Sequence, residues 1–285
     1  MVDVVLVHWN QPEACANTAA RFAETAAVSN VLVVDNGSSE ERLFRLRNLL
    51  DPNIAIIEVG FNSGFGPAVN RGWEDWLSDP GAGEWCVVAP HDAIASADTI
   101  DEMLRVAEER PEVGMLCADV GDGSRPIVDH VFGPILLPAL GRAGFEEADY
   151  PHGTLMMVHR RVLKAVGLFD ERYFSYCEEA DLGLRAKRAG FEVGLVRGAM
   201  VENPTVSTAS PVVDYLMERN TVLLIDKHFG RRKAAMRFAI TIGQFLLWSV
   251  MASRRTDYWS FRARALAIAD VARQRWGPPP ASLQS

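Results

Sequence analysis

The stretch "VDVVLVHWNQPEACANTAARFAETAAVSNVLVVDNGSS", residues 2–39, decides the fold. Its ends, "VDVVLVHW" and "NVLVVDNGSS", are short β-branched runs, each closing on polar or glycine residues. Between them "PEACANTAARFAETAA" reads as a helix. Strand, helix, strand is a βαβ unit, which predicts a parallel sheet with functional groups at the carboxyl ends of its strands.

The alternation continues downstream. "ERLFRLRNLL" reads as a helix and "NIAIIEVG" as a strand, and the glycine loop of "FNSGFGPAVNRGWEDWL" runs into another helix. "EWCVVAP" is the next strand, "ADTIDEMLRVAEERP" an amphipathic helix and "VGMLCADV" a strand. This pattern fits a doubly wound, nucleotide-binding α/β fold. Residues 120–150, with His130 inside and His152 just beyond, are rich in Gly and Pro and read as a long irregular connection of the kind that usually serves function. From 215 onward the pattern is helical, and "GPPPASLQS" reads as a frayed end. The expected division is an α/β domain over 1–225 and a basic, helical extension over 226–285.

Composition is that of a soluble globular protein, 48% hydrophobic and 23% charged. The four cysteines have no zinc-type spacing and read as reduced thiols; with no secretory signal at the start, a cytoplasmic protein is expected, at the inner face of a membrane if it binds one. The net charge of −8 is unevenly spread: residues 227–276 hold 11 Lys/Arg against two Asp, so the remainder is strongly acidic. An acidic body argues against nucleic acid as a partner. The basic tail points to an anionic surface, most simply a membrane face. Within it "FAITIGQFLLWSVMA", residues 238–252, is too short to span a bilayer and reads as a buried amphipathic helix or an interfacial anchor.

Four places carry chemistry. Asp35 and Asn36, at a strand end before Gly37, suit hydrogen bonds to a base or ribose, although "DNGSS" alone equally suits an Asx turn. Asn62, Gly64 and Asn70 belong to a glycine loop that lacks the third glycine of a dinucleotide fingerprint but still presents N–H groups to a phosphate. Pro90, His91 and Asp92 end a strand, and one carboxylate there can hold Mg²⁺ or Mn²⁺ while a diphosphate supplies other ligands. Finally, "YCEEADLGLR" sets Glu178, Glu179 and Asp181 in a helix's first turn, with Asp181 and Arg185 as an i,i+4 pair. In isolation those acids are explained by the helix dipole.

Their order and spacing resemble the family-two glycosyltransferases of GT-A fold, particularly the rhamnosyltransferase-like branch, over about residues 2–225. His8-Trp9-Asn10 matches the family's opening "tYN"-like element, Asp35–Ser38 its "vvDNgS", Asn62–Gly72 its asparagine-glycine block, and Pro90-His91-Asp92 its "NPD". "VGLFDERYFSYCEEADLGLR" matches the most specific block, "vGgFDE.fF.Y.ED.DL..R", and "ERN" near 218 resembles an Arg-Asn pair frequent in this branch. The resemblance implies an inverting, metal-assisted transferase. Its donor would be a nucleotide-diphosphate sugar, dTDP- or UDP-linked, carrying rhamnose or another hexose; its acceptor a saccharide, lipid-linked or metabolite hydroxyl. Asp35 and Asn36 would hold the base beside His8, Trp9 and Asn10, and Asn62, Gly64 and Asn70 would border the donor. Asp92 would bind the divalent cation, and Glu179 would be the base, with Glu178 as its alternate and Asp181 and Arg185 as support. Three departures stand out: Glu at 179 where the family has Asp, a single acid in "PHD", and no His between 160 and 227, where Glu202 or Asn203 would have to serve the metal. They keep a degenerate, donor-binding domain without turnover as the alternative, and a homodimer is left open.

Overall fold

The computed structural model describes residues 1–202 and 210–283. The opening stretch forms β1 (Val2–His8), α1 (Pro12–Ala23) and β2 (Val28–Asp35), followed by α2 (Glu40–Leu49), β3 (Ala55–Glu58), α3 (Phe65–Ser78) and β4 (Trp85–Pro90). β1 lies parallel between β2 and β4, with His8 opposite Asp35 and Val7 opposite Pro90. That register brings the polar ends of three strands to one edge, as the βαβ reading requires.

β1 is buried on both faces, which explains its unbroken apolar run. Val4 and Leu6 pack with Cys15 and Phe22 of α1, whereas Val5 and Val7 face Val69 and Trp73 of α3. Each fully buried side chain of this size contributes roughly 1.5–3 kcal/mol. All four cysteines are buried free thiols.

The sheet continues through β5 (Ile94–Ala95), α4 (Thr99–Glu109), β6 (Val113–Asp119), β10 (Met156–His159), α5 (Arg160–Val166), α6 (Glu178–Arg188) and β11 (Glu192–Glu202). Its order is β3-β2-β1-β4-β10-β6-β11-β5. β10 runs antiparallel between β4 and β6, so the sheet is mixed but mostly parallel at its centre.

Residues 120–150 are more ordered than their composition suggests. β7 (Ser124–Asp129) and β8 (Gly133–Pro138) form a hairpin, and β9 (Gly144–Glu147) pairs with β11. Buried Arg197 ties the region down, its Nε 2.6 Å from Glu146 and its Nη1 3.2 Å from Asp119.

Three helices complete the chain: α7 (Ser210–Phe229), α8 (Arg231–Val250) and α9 (Phe261–Ala272). The expected boundary after residue 225 falls inside α7, which is continuous and packs against both the α/β body and α8 and α9. Buried ion pairs fasten the helices together, Arg264 to Asp214 at 2.8 Å and Arg237 to Glu218 at 3.0 Å. The expected frayed end is also docked: Gly277 donates its N–H to Arg172 O and accepts from Arg219 Nη2, and Leu283 is buried.

Candidate active site

The carboxyl ends of β1, β2 and β4, the glycine loop after β3 and the segment leading into α6 enclose a cavity of about 210 Å³. Of the residues singled out in the sequence, Trp9, Asn36, Asn62, Gly64, Pro90 and His91 line it. A larger cavity of about 370 Å³ lies at the opposite, amino end of the strands around Asp3 and Trp76, and none of the sequence-predicted site residues lines it.

His8 and Asp35 form the buried foundation. Gln11 N–H donates to His8 Nε2 at 3.2 Å, so Nδ1 carries the proton and donates to Asp35 Oδ1 at 2.8 Å. Burial raises the Asp35 pKa, but hydrogen bonds from His8 and Ser38 outweigh it and hold the carboxyl below its ordinary value. Asn10 Oδ1 accepts from Ser39 N–H, closing the same turn.

Asn36 links this turn to the glycine loop. Its Oδ1 accepts from Ser63 N–H and Oγ–H, and its Nδ2 donates to Asn62 Oδ1 and Gly64 O. Gly64 has φ +95°, and a Cβ there would lie 2.2 Å from Phe174 O. Only glycine allows that approach. Asn70 spends its amide inside the fold, accepting from Phe169 N–H and donating to Phe169 O, each at 3.0 Å.

His91 is buried, and burial lowers its pKa. The neutral ring donates from Nδ1 to Val7 O at 3.2 Å, which leaves the Nε2 lone pair without a partner among the described residues. Asp92, next along, is also buried. β11 ends with Glu202 opposite Ile94 but with its side chain exposed; Asn203 lies outside the described residues.

The carboxylates enter through a strained segment. Phe174, Tyr176 and Cys177 all have positive φ, of 67°, 67° and 75°. Each such residue costs of order 1–3 kcal/mol and persists only where surroundings enforce it. Here Asn220 of α7 does so, its Nδ2 within 2.8–2.9 Å of the carbonyls of Tyr173, Ser175 and Tyr176. Ser175 Oγ in turn accepts from Phe65 N–H at the start of α3.

At the first turn of α6 the three acids separate. Asp181 is fully buried and pairs with Arg185 Nε at 2.8 Å, His228 Nε2 at 2.7 Å and Lys227 Nζ at 2.7 Å. These partners outweigh burial and hold its pKa low, while Arg185 also donates to the carbonyls of Val166, Gly167 and Leu168. Asp181 and Arg185 are therefore scaffold. Glu178 is buried against Gly66, and among the described residues its Oε2 has no hydrogen-bond partner. Burial first, then the adjacent Glu179, push it well above the ordinary carboxyl range. Glu179 is half-buried against Gly153 and is pushed up to about 7 by burial.

Val7, Phe65, Phe174, Ser175, Val212, Leu216 and Pro279, none of them a site candidate from the sequence, complete the cavity. The "ERN" motif was the signal available for the α7 side, since its Asn220 holds the wall formed by Phe174 and Ser175.

A mostly parallel sheet with such a cavity at its strand ends, and a turn that runs from the cavity wall into a carboxylate pair at a helix start, defines a GT-A glycosyltransferase. The family described as "Glycosyl transferase family 2" matches residues 3–167, more than half of the chain, and the chain belongs to it. Within it the chain is rhamnosyltransferase-like. It is 27% identical over 249 residues to the N-acetylglucosaminyl-diphospho-decaprenol L-rhamnosyltransferase of Mycobacterium tuberculosis, covering 74% of this chain and 79% of that protein. It is 25% identical over 274 residues to the low-salt glycan biosynthesis hexosyltransferase Agl10 of Haloferax volcanii, covering 90% and 87%. Among solved structures, the mannosyltransferase PcManGT from Pyrobaculum calidifontis, in complex with GDP-Man and Mn²⁺, superposes with TM-score 0.58 at 14% identity, covering 96% of this chain and 86% of that one. TarS 1-349 of S. aureus with UDP-GlcNAc gives 0.56 at 15% identity, covering 96% and 82%. At these identities the superpositions bear on fold.

Proposed function

We propose that this chain transfers a hexose, rhamnose in the first instance, from a nucleotide-diphosphate sugar to a hydroxyl of a lipid-linked saccharide, with inversion. The observation that carries the reading is the course of residues 174–179: Phe174 and Ser175 wall the cavity, and the same strained turn leads within three residues into Glu178 and Glu179, which lie outside its lining. The lipid-linked acceptor follows the Mycobacterium relative, whose name specifies a diphospho-decaprenol substrate.

In this reading the acceptor hydroxyl attacks the anomeric carbon from the face opposite the leaving group. The new C–O bond forms, the bond from the anomeric carbon to the diphosphate oxygen breaks, and the hydroxyl proton passes to Glu179. A carboxylate whose pKa burial has lifted to about 7 is matched to that task near neutral pH. The cavity takes the nucleoside, with Asn36 and Trp9 beside the base and the His91 Nε2 lone pair accepting from a ribose hydroxyl.

A divalent cation fits the strand end through oxygen. Mg²⁺ and Mn²⁺ sites of this kind use one or two carboxylates and leave the rest to substrate phosphates and water. Buried Asp92 supplies that carboxylate, and no group of three or more His, Cys, Asp or Glu among the described residues is placed to hold a metal by itself. When bound, the cation offsets charge developing on the leaving diphosphate.

The test is donor-dependent release of nucleoside diphosphate across a panel of dTDP-, UDP- and GDP-sugars, with Glu179→Gln and Asp92→Ala alongside. Turnover by the native chain and its loss in Glu179→Gln support the reading. Nucleotide binding without turnover for any donor would replace it with the degenerate, donor-binding alternative.

A further inference from the structure

No described helix is long and apolar enough to cross a membrane. Yet α8 presents an apolar stripe to solvent. Met236, Ala239, Gly243, Leu246 and Val250, spaced three, four, three and four residues apart and so on one helical face, are all exposed, with Leu246 at 61% and Val250 at 82%. The stripe runs on through Met251 into the connection, where Tyr258 is exposed, and to the first residue of α9, exposed Phe261, whose ring lies 4.9 Å from Phe245. Trp248 and Trp259 flank it, each half-buried.

We propose that this elbow between α8 and α9 docks the enzyme on an anionic lipid surface. The choice of lipid over a second copy of the chain rests on charge. Arg231, Arg232, Arg254, Arg255 and Arg262 are all exposed, and from Arg231 to Thr256 the chain has no acidic residue. A two-fold contact through this face would set like charges against each other, whereas anionic headgroups complement them. Apolar residues ringed by Trp, Tyr and Arg are the composition of helices that lie in the interface without spanning it. The proposal rests on the lipid-linked acceptor for its biological sense: α8 packs on α7, whose Val212 and Leu216 line the donor cavity, so docking the elbow brings the site to where such an acceptor resides.

Flotation with vesicles tests it without using activity. The full chain is mixed with vesicles of equal parts phosphatidylglycerol and phosphatidylcholine, or of phosphatidylcholine alone, at low and high salt. It is expected to float with the anionic vesicles at low salt, with a loss of roughly tenfold or more in the paired variant Arg254→Glu/Arg262→Glu and in Leu246→Asn/Val250→Asn. Both variants keep the native Tm and release nucleoside diphosphate at the native rate with a soluble acceptor. Absence of flotation, or equal flotation of native chain and variants, overturns docking. So does a native dimer in light scattering that Leu246→Asn/Val250→Asn turns into a monomer. None of these outcomes touches sugar transfer, which the donor panel decides separately.

Discussion

The side-chain amide of Asn220, on α7, donates to the carbonyl of Tyr176 at 2.9 Å, across 44 residues of chain. With its bonds to the Tyr173 and Ser175 carbonyls, it holds a backbone in which three residues have positive φ. Losing a buried donor to such carbonyls costs about 1–3 kcal/mol, enough to let the turn relax. Asn220→Ala is therefore expected to lower kcat roughly ten- to hundredfold, because Glu179 follows that turn directly. Thermal melting and kcat are measured together. A lowered Tm with unchanged kcat would make Asn220 a structural residue only.

The proposed role of Glu179 fixes a pH dependence. A base in that position must be deprotonated, so the rate is expected to rise with pH, bend near the Glu179 pKa of about 7 and level off above it. Glu179→Gln is expected to lower kcat at least a thousandfold, about 4 kcal/mol, and to remove the rising limb from any residual rate. A Glu179→Gln profile that keeps the same limb assigns the titration to another group.

Glu178 affects stability in the opposite way from Asp181. Its folded pKa is raised by burial and by Glu179, so the folded state holds the proton more tightly than the unfolded chain does. The contribution is present below the ordinary carboxyl pKa and is lost as pH rises through the raised one. Glu178→Gln removes that loss. Its Tm is expected to exceed the native value, by more at pH 8 than at pH 5, as scanning calorimetry at the two values would show. An equal shift at both would mean that Glu178 finds a partner for its charge.

Much of this was legible from local pattern. β1, β2 and β4 are near-continuous apolar runs, and their ends at His8, Asp35 and Pro90 emerge at one edge because parallel pairing leaves little freedom in where they finish. The Asp181–Arg185 pair follows from helical spacing alone. What local pattern does not encode is contact across long separations. β10 inserts antiparallel between β4 and β6 although its four residues read like any short apolar run. Pro279 lines the cavity at the strand ends from a tail that composition assigns to fraying, because Arg219 and Arg172 bind the backbone at Gly277. Asn70 looks like a ligand contact in its motif and instead fastens α3 to Phe169, a distinction visible only in where its amide points.

Gly153 tests whether Glu179 must sit where it does. A Cβ at that position would lie 2.1 Å from Glu179 Oε1, against the free end of a side chain and not against backbone. Gly153→Ala is therefore expected to leave Tm within a few degrees of native while pushing the carboxylate aside, and a displacement of about 1 Å is worth roughly a hundredfold in rate. Glu179→Asp withdraws the carboxylate by one methylene and opens room for the added methyl group. The double variant Gly153→Ala/Glu179→Asp is accordingly expected to be faster than Gly153→Ala alone, even if Glu179→Asp by itself is slower than native. Steady-state kcat for the four proteins decides it: simple multiplication of the two single effects would mean that Gly153 does not act through Glu179, whereas recovery in the double variant ties the glycine's missing side chain to the length of the side chain at 179.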